Sequence, residues 1–195
     1  MQRNTPHRAR PKHNAAHPVH VTLRASVRSL RSQHVVRTVL GALRDSRRKN
    51  FRIVHYSIQP NHLHLILEAE SAQLLSSGVR GIMVRIARRV NNLLSRGGRL
   101  WVDRWHGHAL KTPREVRNTL RYVLQNHLKH RSANTPLDPL SSAQWFNGFT
   151  TPIPRAFRSV GPPCVAAAQS WRRRVGWQRQ GKLRIAEGPK PGAWR

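Results

Sequence analysis

The chain has 195 residues and sets 36 Lys and Arg against 7 Asp and Glu, for a formal charge of +29. Such an excess repels itself in a compact state unless a polyanion neutralises it, which makes nucleic acid the leading partner and a membrane surface the second. No stretch approaches the roughly 20 apolar residues of a bilayer span, and the basic N-terminus lacks the apolar run of a signal peptide, so a cytoplasmic protein without membrane contact is expected. The single cysteine, Cys164, excludes an internal disulfide and any cysteine-based zinc cluster, and stability must come from packing.

Three regions differ in texture. Residues 1–18 hold Pro6, Pro11 and Pro18, basic residues and no acid, the composition of a disordered basic arm. Residues 19–130 carry most of the periodic apolar pattern and form the expected folded domain. Residues 131–195 hold eight of the thirteen prolines together with Trp171, Trp177 and Trp194, and read as a basic C-terminal extension.

Val19, Val21 and Leu23 alternate with His20, Thr22 and Arg24, the period of a half-buried strand. Val35, Val36, Val39, Leu40 and Leu43 recur at helical spacing. A strand over Phe51–Ile58 turns at Gln59-Pro60-Asn61 into a second, His62–Glu68, and the two form a hairpin. Leu75, Val79, Ile82, Met83, Ile86, Val90 and Leu93 make one helical stripe within 74–94, ended by Gly97-Gly98. Trp101–Lys111 is the last expected strand. Thr112-Pro113-Arg114-Glu115 then opens a helix, with Thr112 as N-cap, Pro at the first position and Glu completing a capping box. The first six elements match the ferredoxin-like split motif, an α+β fold whose antiparallel sheet is covered by helices on one face. The last helix is extra.

Chemistry concentrates in two short segments. Strand alternation puts His62, His64, Ile66 and Glu68 on one face and Leu63, Leu65 and Leu67 on the other. Spacing alone is weak evidence: twelve histidines in this chain give about 0.7 His-x-His pairs by chance, and two occur, His62/His64 and His106/His108. Glu68 is either an extra ligand or the exposed end of the strand. On the last helix Tyr122 and Asn126 share the polar side, and Asn126, a poor helix-interior residue, either coordinates a hard cation or caps the C-terminus. Arg80, Arg85, Arg88, Arg89, Arg96 and Arg99 surround the long helix, and Arg114, Arg117 and Arg121 decorate the last. No acid falls between Glu70 and Asp103, so tracking of phosphates is preferred over a solvated face of mixed sign. Trp171, Trp177 and Trp194 either stack unpaired bases or anchor the tail.

The run Gln59-Pro60-Asn61-His62-Leu63-His64-Leu65-Ile66-Leu67-Glu68, followed by Arg121-Tyr122-Val123-Leu124-Gln125-Asn126, resembles the single-tyrosine HUH transposases, named for a histidine, bulky hydrophobic, histidine motif, and especially the REP-associated tyrosine transposases of bacteria. His17-Pro18-Val19-His20-Val21-Thr22 and Asp103-Arg104-Trp105-His106 extend the resemblance over 17–130. The chain departs from the family where paired asparagines and a proline often follow the tyrosine, since here Gln125 precedes Asn126 and His127 follows.

The resemblance implies a nucleoid-associated enzyme that binds single-stranded DNA beside an imperfect hairpin. Tyr122 would attack a scissile phosphate, leaving a 5′-phosphotyrosine and a free 3′-hydroxyl. It implies a divalent ion, Mg²⁺ or Mn²⁺, held by His62, His64 and Asn126, with Asn61, His106 and His108 as accessory candidates and no nucleotide cofactor. Two alternatives keep the basic surface: a hairpin-binding protein without catalysis, and a metal-dependent hydrolase that uses water in place of Tyr122. Monomer and homodimer both stay open.

Overall fold

A computed structural model of the chain describes residues 13–129, 135–157, 163–185 and 187–189. The elements in chain order are β1 (Val19–Arg24), α1 (Gln33–Arg44), β2 (Phe51–Ile58), β3 (His62–Ala69), α2 (Ala72–Leu93), β4 (His106–Ala109), α3 (Pro113–Leu124) and the one-turn α4 (Trp171–Arg174). The strands form one sheet in the order β2-β3-β1-β4, every pair antiparallel. This is the expected α+β ferredoxin-like arrangement.

The apolar phase of each strand decides the layers. Val19, Val21 and Leu23 of β1 and Leu63, Leu65 and Leu67 of β3 face α1 and α2, whose stripes Val35–Val39–Leu43 and Val79–Ile82–Ile86–Val90 complete the main core. Burial of each such side chain contributes about 1.5–3 kcal/mol. Helix α2 comes close to the sheet because of Gly78: a Cβ there would stand 2.4 Å from the Phe51 ring.

The opposite face of the sheet is covered too, by elements that periodicity did not assign to it. Ile66 of β3 packs with Val116, Leu120, Val123 and Leu124 of α3 and with Leu137, Phe146, Phe149, Trp177 and Leu183 from the segment expected as an extension. Trp177 is thus an anchor, at 2% exposure, whereas Trp171 is half exposed with the Arg179 guanidinium 4.9 Å from its ring centroid. Trp194 lies outside the described residues.

Four expectations are corrected. The strand expected over 101–111 is confined to His106–Ala109: Trp101 makes an isolated bridge to Ala25 and its indole donates to the Met83 carbonyl of α2, so the chain leaves the sheet and re-enters at His106. The last helix stops at Leu124, because the Gln125 amide turns inward to donate to the carbonyls of Arg184 and Ile185, and a 3-10 turn, Asn126–Lys129, follows. Glu68 is neither exposed nor a candidate ligand. It is 3% exposed, and its carboxylate accepts hydrogen bonds from the backbone N–H of Gln169 and Ser170 and from the Ser170 hydroxyl. Of the arm expected to be disordered, residues 1–12 lie outside the described residues, but from 13 on the chain is tied down: the His13 ring bonds the Ala69 carbonyl, and Arg172 donates to Ala16.

Glu68→Ala removes the acceptor of three bonds and strands two backbone donors. Its unfolding free energy is expected to fall by about 3 kcal/mol, read as a lower urea midpoint.

Candidate active site

Register, more than spacing, builds the site. β1 lies between β3 and β4, pairing Thr22 with His64 on one side and with His106 on the other, and His20 with His108. Residues paired across an antiparallel sheet share a face, so both His-x-His pairs come to one surface with His20 between them. Tyr122 closes this surface from α3. The result is a cleft of about 310 Å³ lined by His20, Thr22, His62, His64, His106, Gly107, His108 and Tyr122. Gly107 is required there, since a Cβ would stand 2.4 Å from the Trp105 ring.

The rings are close enough to act together. His62 and His64 lie nearly parallel, 6.0 Å between centroids at 14°, and His20 stacks on His64 at 5.4 Å. Tyr122 meets His64 edge-on at 5.2 Å and His20 at 5.8 Å. The His62 Nδ1–H donates to Asn61 Oδ1 at 2.7 Å, which leaves Nε2 with the lone pair. Asn61 is therefore a positioning group for His62. Nδ1 of His64 shares a 3.2 Å hydrogen bond with the Thr22 hydroxyl. Burial, and then the charge of Arg24, holds the His62 pKa below the ordinary histidine value, so its ring is neutral at physiological pH.

Tyr122 is half-buried, and burial raises its phenol pKa; the side chain of Asn126 hydrogen-bonds the phenol and works in the opposite direction. Although the helix breaks between them, the Tyr122–Asn126 pair survives, but Asn126 is 5% exposed and is not part of the cleft lining. Among the described residues no group of three or more His, Cys, Asp or Glu is arranged to hold a metal ion. Of the expected ligand set, His62 and His64 line the cleft, while Asn126 lies outside its lining with its side chain on the Tyr122 phenol. The imidazoles suit a divalent metal: His62 is neutral with its Nδ1 held by a hydrogen bond, the tautomer-fixing arrangement of metal-bound histidines.

The arginines expected to follow DNA separate into groups. Arg80 and Arg88 are exposed on α2, which packs on the sheet face opposite the cleft. Arg85 donates to the Ser46 hydroxyl and Arg89 pairs with Asp45 at 2.6 Å. On α3, at the cleft layer, Arg114 is exposed, but Arg117 and Arg121 both bind Glu187 of the tail at 2.9 Å. Arg121, at 5% exposure, departs from the expectation of a surface phosphate contact.

His20 and Thr22 were missed as site residues. They share the polar phase of β1 with Arg24, a signal present in the sequence, but only the pairing of β1 with β3 and β4 makes that phase matter. Burial, and then the charge of His108, pushes the His20 pKa down to about 4. His55, fully buried on β2, is shifted in the same direction. For both, the unfolded chain binds the proton more readily, so stability is complete above about pH 6.5 and is lost as pH falls below it, for His20 down to about 4. Replacing His20 by Asn is expected to remove about 3 kcal/mol of this acid sensitivity, read from urea midpoints between pH 7 and pH 4.

The model of the family described as "Transposase IS200 like" matches residues 15–126. A solved REP-associated tyrosine transposase bound to a REP hairpin shares the fold, with a TM-score of 0.57 and 18% identity over 85% of this chain and 93% of that one. A second structure, a putative transposase from Deinococcus radiodurans R1, aligns with a TM-score of 0.43 and 18% identity over 68% of this chain and 99% of its own. No curated protein sequence matches the chain. Among the described residues no helix is long and apolar enough to cross a membrane. The family match spans more than half the chain, from the segment entering β1 to the asparagine beside Tyr122, and the protein belongs to the IS200-like transposase family.

Proposed function

We propose that this transposase cleaves and rejoins single-stranded, hairpin-associated DNA through a covalent bond between Tyr122 and a 5′-phosphate. The observation that carries the reading is the edge-on contact of Tyr122 with His64 in a cleft that also holds His62. In cleavage the Tyr122 oxygen attacks the scissile phosphorus, the bond to the 3′-oxygen breaks, and that oxygen leaves as a hydroxyl. Rejoining is the reverse attack by a 3′-hydroxyl, which returns the proton to the phenol and needs no nucleotide cofactor. Burial keeps the phenol protonated at neutral pH, so the attack requires activation.

His62, His64 and Asn126 would hold Mg²⁺ or Mn²⁺, and the ion supplies charge stabilisation at the phosphate oxygens. The residues of the chain do the rest. Asn61 fixes the His62 tautomer, Thr22 steadies His64, and Asn126 holds the phenol toward the cleft. The cationic surface, with Arg114 exposed on α3 and Arg80 and Arg88 on the far layer, supplies affinity for single-stranded or hairpin DNA.

Incubating the protein with Mn²⁺ and end-labelled hairpin DNA should give a covalent adduct on a denaturing gel. Tyr122→Phe is expected to abolish both adduct and nicking while DNA affinity is kept, at a stability cost of about 1 kcal/mol for the lost hydroxyl bond. Continued nicking by the phenylalanine variant would assign the chemistry to a water nucleophile. His62→Ala and His64→Ala are each expected to abolish cleavage and spare hairpin binding, because the ligands act on the transition state and the arginines on affinity.

Binding itself should weaken with salt, the log-log slope being about −0.7 per neutralised phosphate on a single strand. A titration at several salt concentrations checks this, and a flat response would remove the electrostatic basis of the reading.

A further inference from the structure

A second cavity, of about 400 Å³, lies between β2 and the tail, away from the histidine cleft. Its size is within the roughly 300–1,000 Å³ range of small-ligand sites. Its lining includes His55, Trp145, Phe146, Arg173, Arg174 and Trp177. Arg173 is the unusual member. It is 3% exposed, and its Nε and Nη2 meet no hydrogen-bond acceptor. The indole Nε1 of Trp145 is likewise buried without an acceptor.

Glu68 is the acid that acts electrostatically on Arg173, but its oxygens are occupied by Gln169 and Ser170, and no ion pair among the described residues joins the two. A buried guanidinium without a paired anion costs several kcal/mol, and proteins rarely bear that cost without a use for the charge. His55 adds no charge: its Nδ1 is hydrogen-bonded to the Ser142 hydroxyl, and burial keeps the ring neutral.

The unmet groups are therefore all N–H donors, a set complementary to anionic oxygen, and they stand beside an aromatic wall. Phe146 lies tilted against Trp177 with centroids 5.5 Å apart and edge-on to His55 at 5.5 Å. Phosphate oxygen joined to a flat aromatic ring satisfies both halves of this lining.

We infer that this cavity is a nucleotide-binding site, in which Arg173 from inside and Arg174 from the rim hold the phosphate while the base lies against the partly exposed indole of Trp145. The nucleotide is either one unit of a bound strand, turned out of its stack, or a free mononucleotide. The site does not depend on Tyr122 or on any cleavage chemistry, and its test needs neither.

The test is calorimetric titration of the full chain with 5′-dAMP, with deoxyadenosine and inorganic phosphate as controls. 5′-dAMP is expected to bind saturably and each control at least about 10-fold more weakly, since each supplies half of the contacts. Arg173→Met is expected to reduce 5′-dAMP affinity by between about 10- and 100-fold while leaving the ligand-free melting temperature unchanged or higher. Arg174→Gln, at an exposed position that cannot unfold the protein, should weaken binding severalfold and keeps the test decisive if the first variant fails to fold. Repeating the titration with saturating single-stranded DNA separates the sources: lost 5′-dAMP binding places a strand nucleotide in the cavity, and retained binding places a free one. Wild-type affinity in both arginine variants, or inorganic phosphate binding as tightly as 5′-dAMP, overturns the inference.

Discussion

The central strand β3 is buried on both faces except at its His62 end, and the rest of the structure depends on that constraint. Leu63, Leu65 and Leu67 go to the α1/α2 core, while His64, Ile66 and Glu68 go to the layer formed by α3 and the tail. Every polar group on a strand buried on both sides needs a partner. Thr22 meets His64 across the sheet, and the tail brings donors to Glu68. The reactive face of the sheet is thereby half covered, by Ile66 and α3 toward one end, and half open, as the histidine cleft toward the other.

Acidic residues are scarce, and most of them mark a joint. Asp138 takes a bidentate bond from Arg31, which also donates to the Ile58 carbonyl, and so pins the start of the tail beside the β2–β3 turn. Glu187 gathers Arg117 and Arg121 and fixes the tail's far end to α3. Glu115 completes the capping box that starts α3. Asp45 joins α1 to α2 through Arg89. With the anions held in these joints, most of the +29 charge has no intramolecular counterpart and is left for a polyanion.

Much of the fold was legible because both faces of its strands carry strong patterns. The bounds of β2 follow the apolar run from Phe51 to Ile58, and α3 begins at the capping box that Thr112 and Glu115 announce. The same local rules failed where a distant segment intervened. Trp101 and Trp105 look like strand residues, but one is drawn to Met83 and the other folds over Gly107, so only four residues of β4 pair. Helical periodicity past Leu124 is overridden by Gln125, whose amide finds the tail carbonyls instead of solvent.

The sequence by itself determined which atoms the candidate chemistry has to draw on: two imidazoles held on one strand face by period-two alternation, a phenol and an amide a short way apart, and a charge that demands an anionic partner. Those are local properties, since the direction of a side chain follows from the backbone period. Tertiary structure alone decided which of these atoms meet. The register of β1 between β3 and β4 brought His20, His106 and His108 to His62 and His64. The docking of the tail withdrew Glu68 and Arg121 from the surface and enclosed Arg173. Strand register and tail docking are set by summed contacts between segments far apart in the chain, and no local pattern encodes that sum.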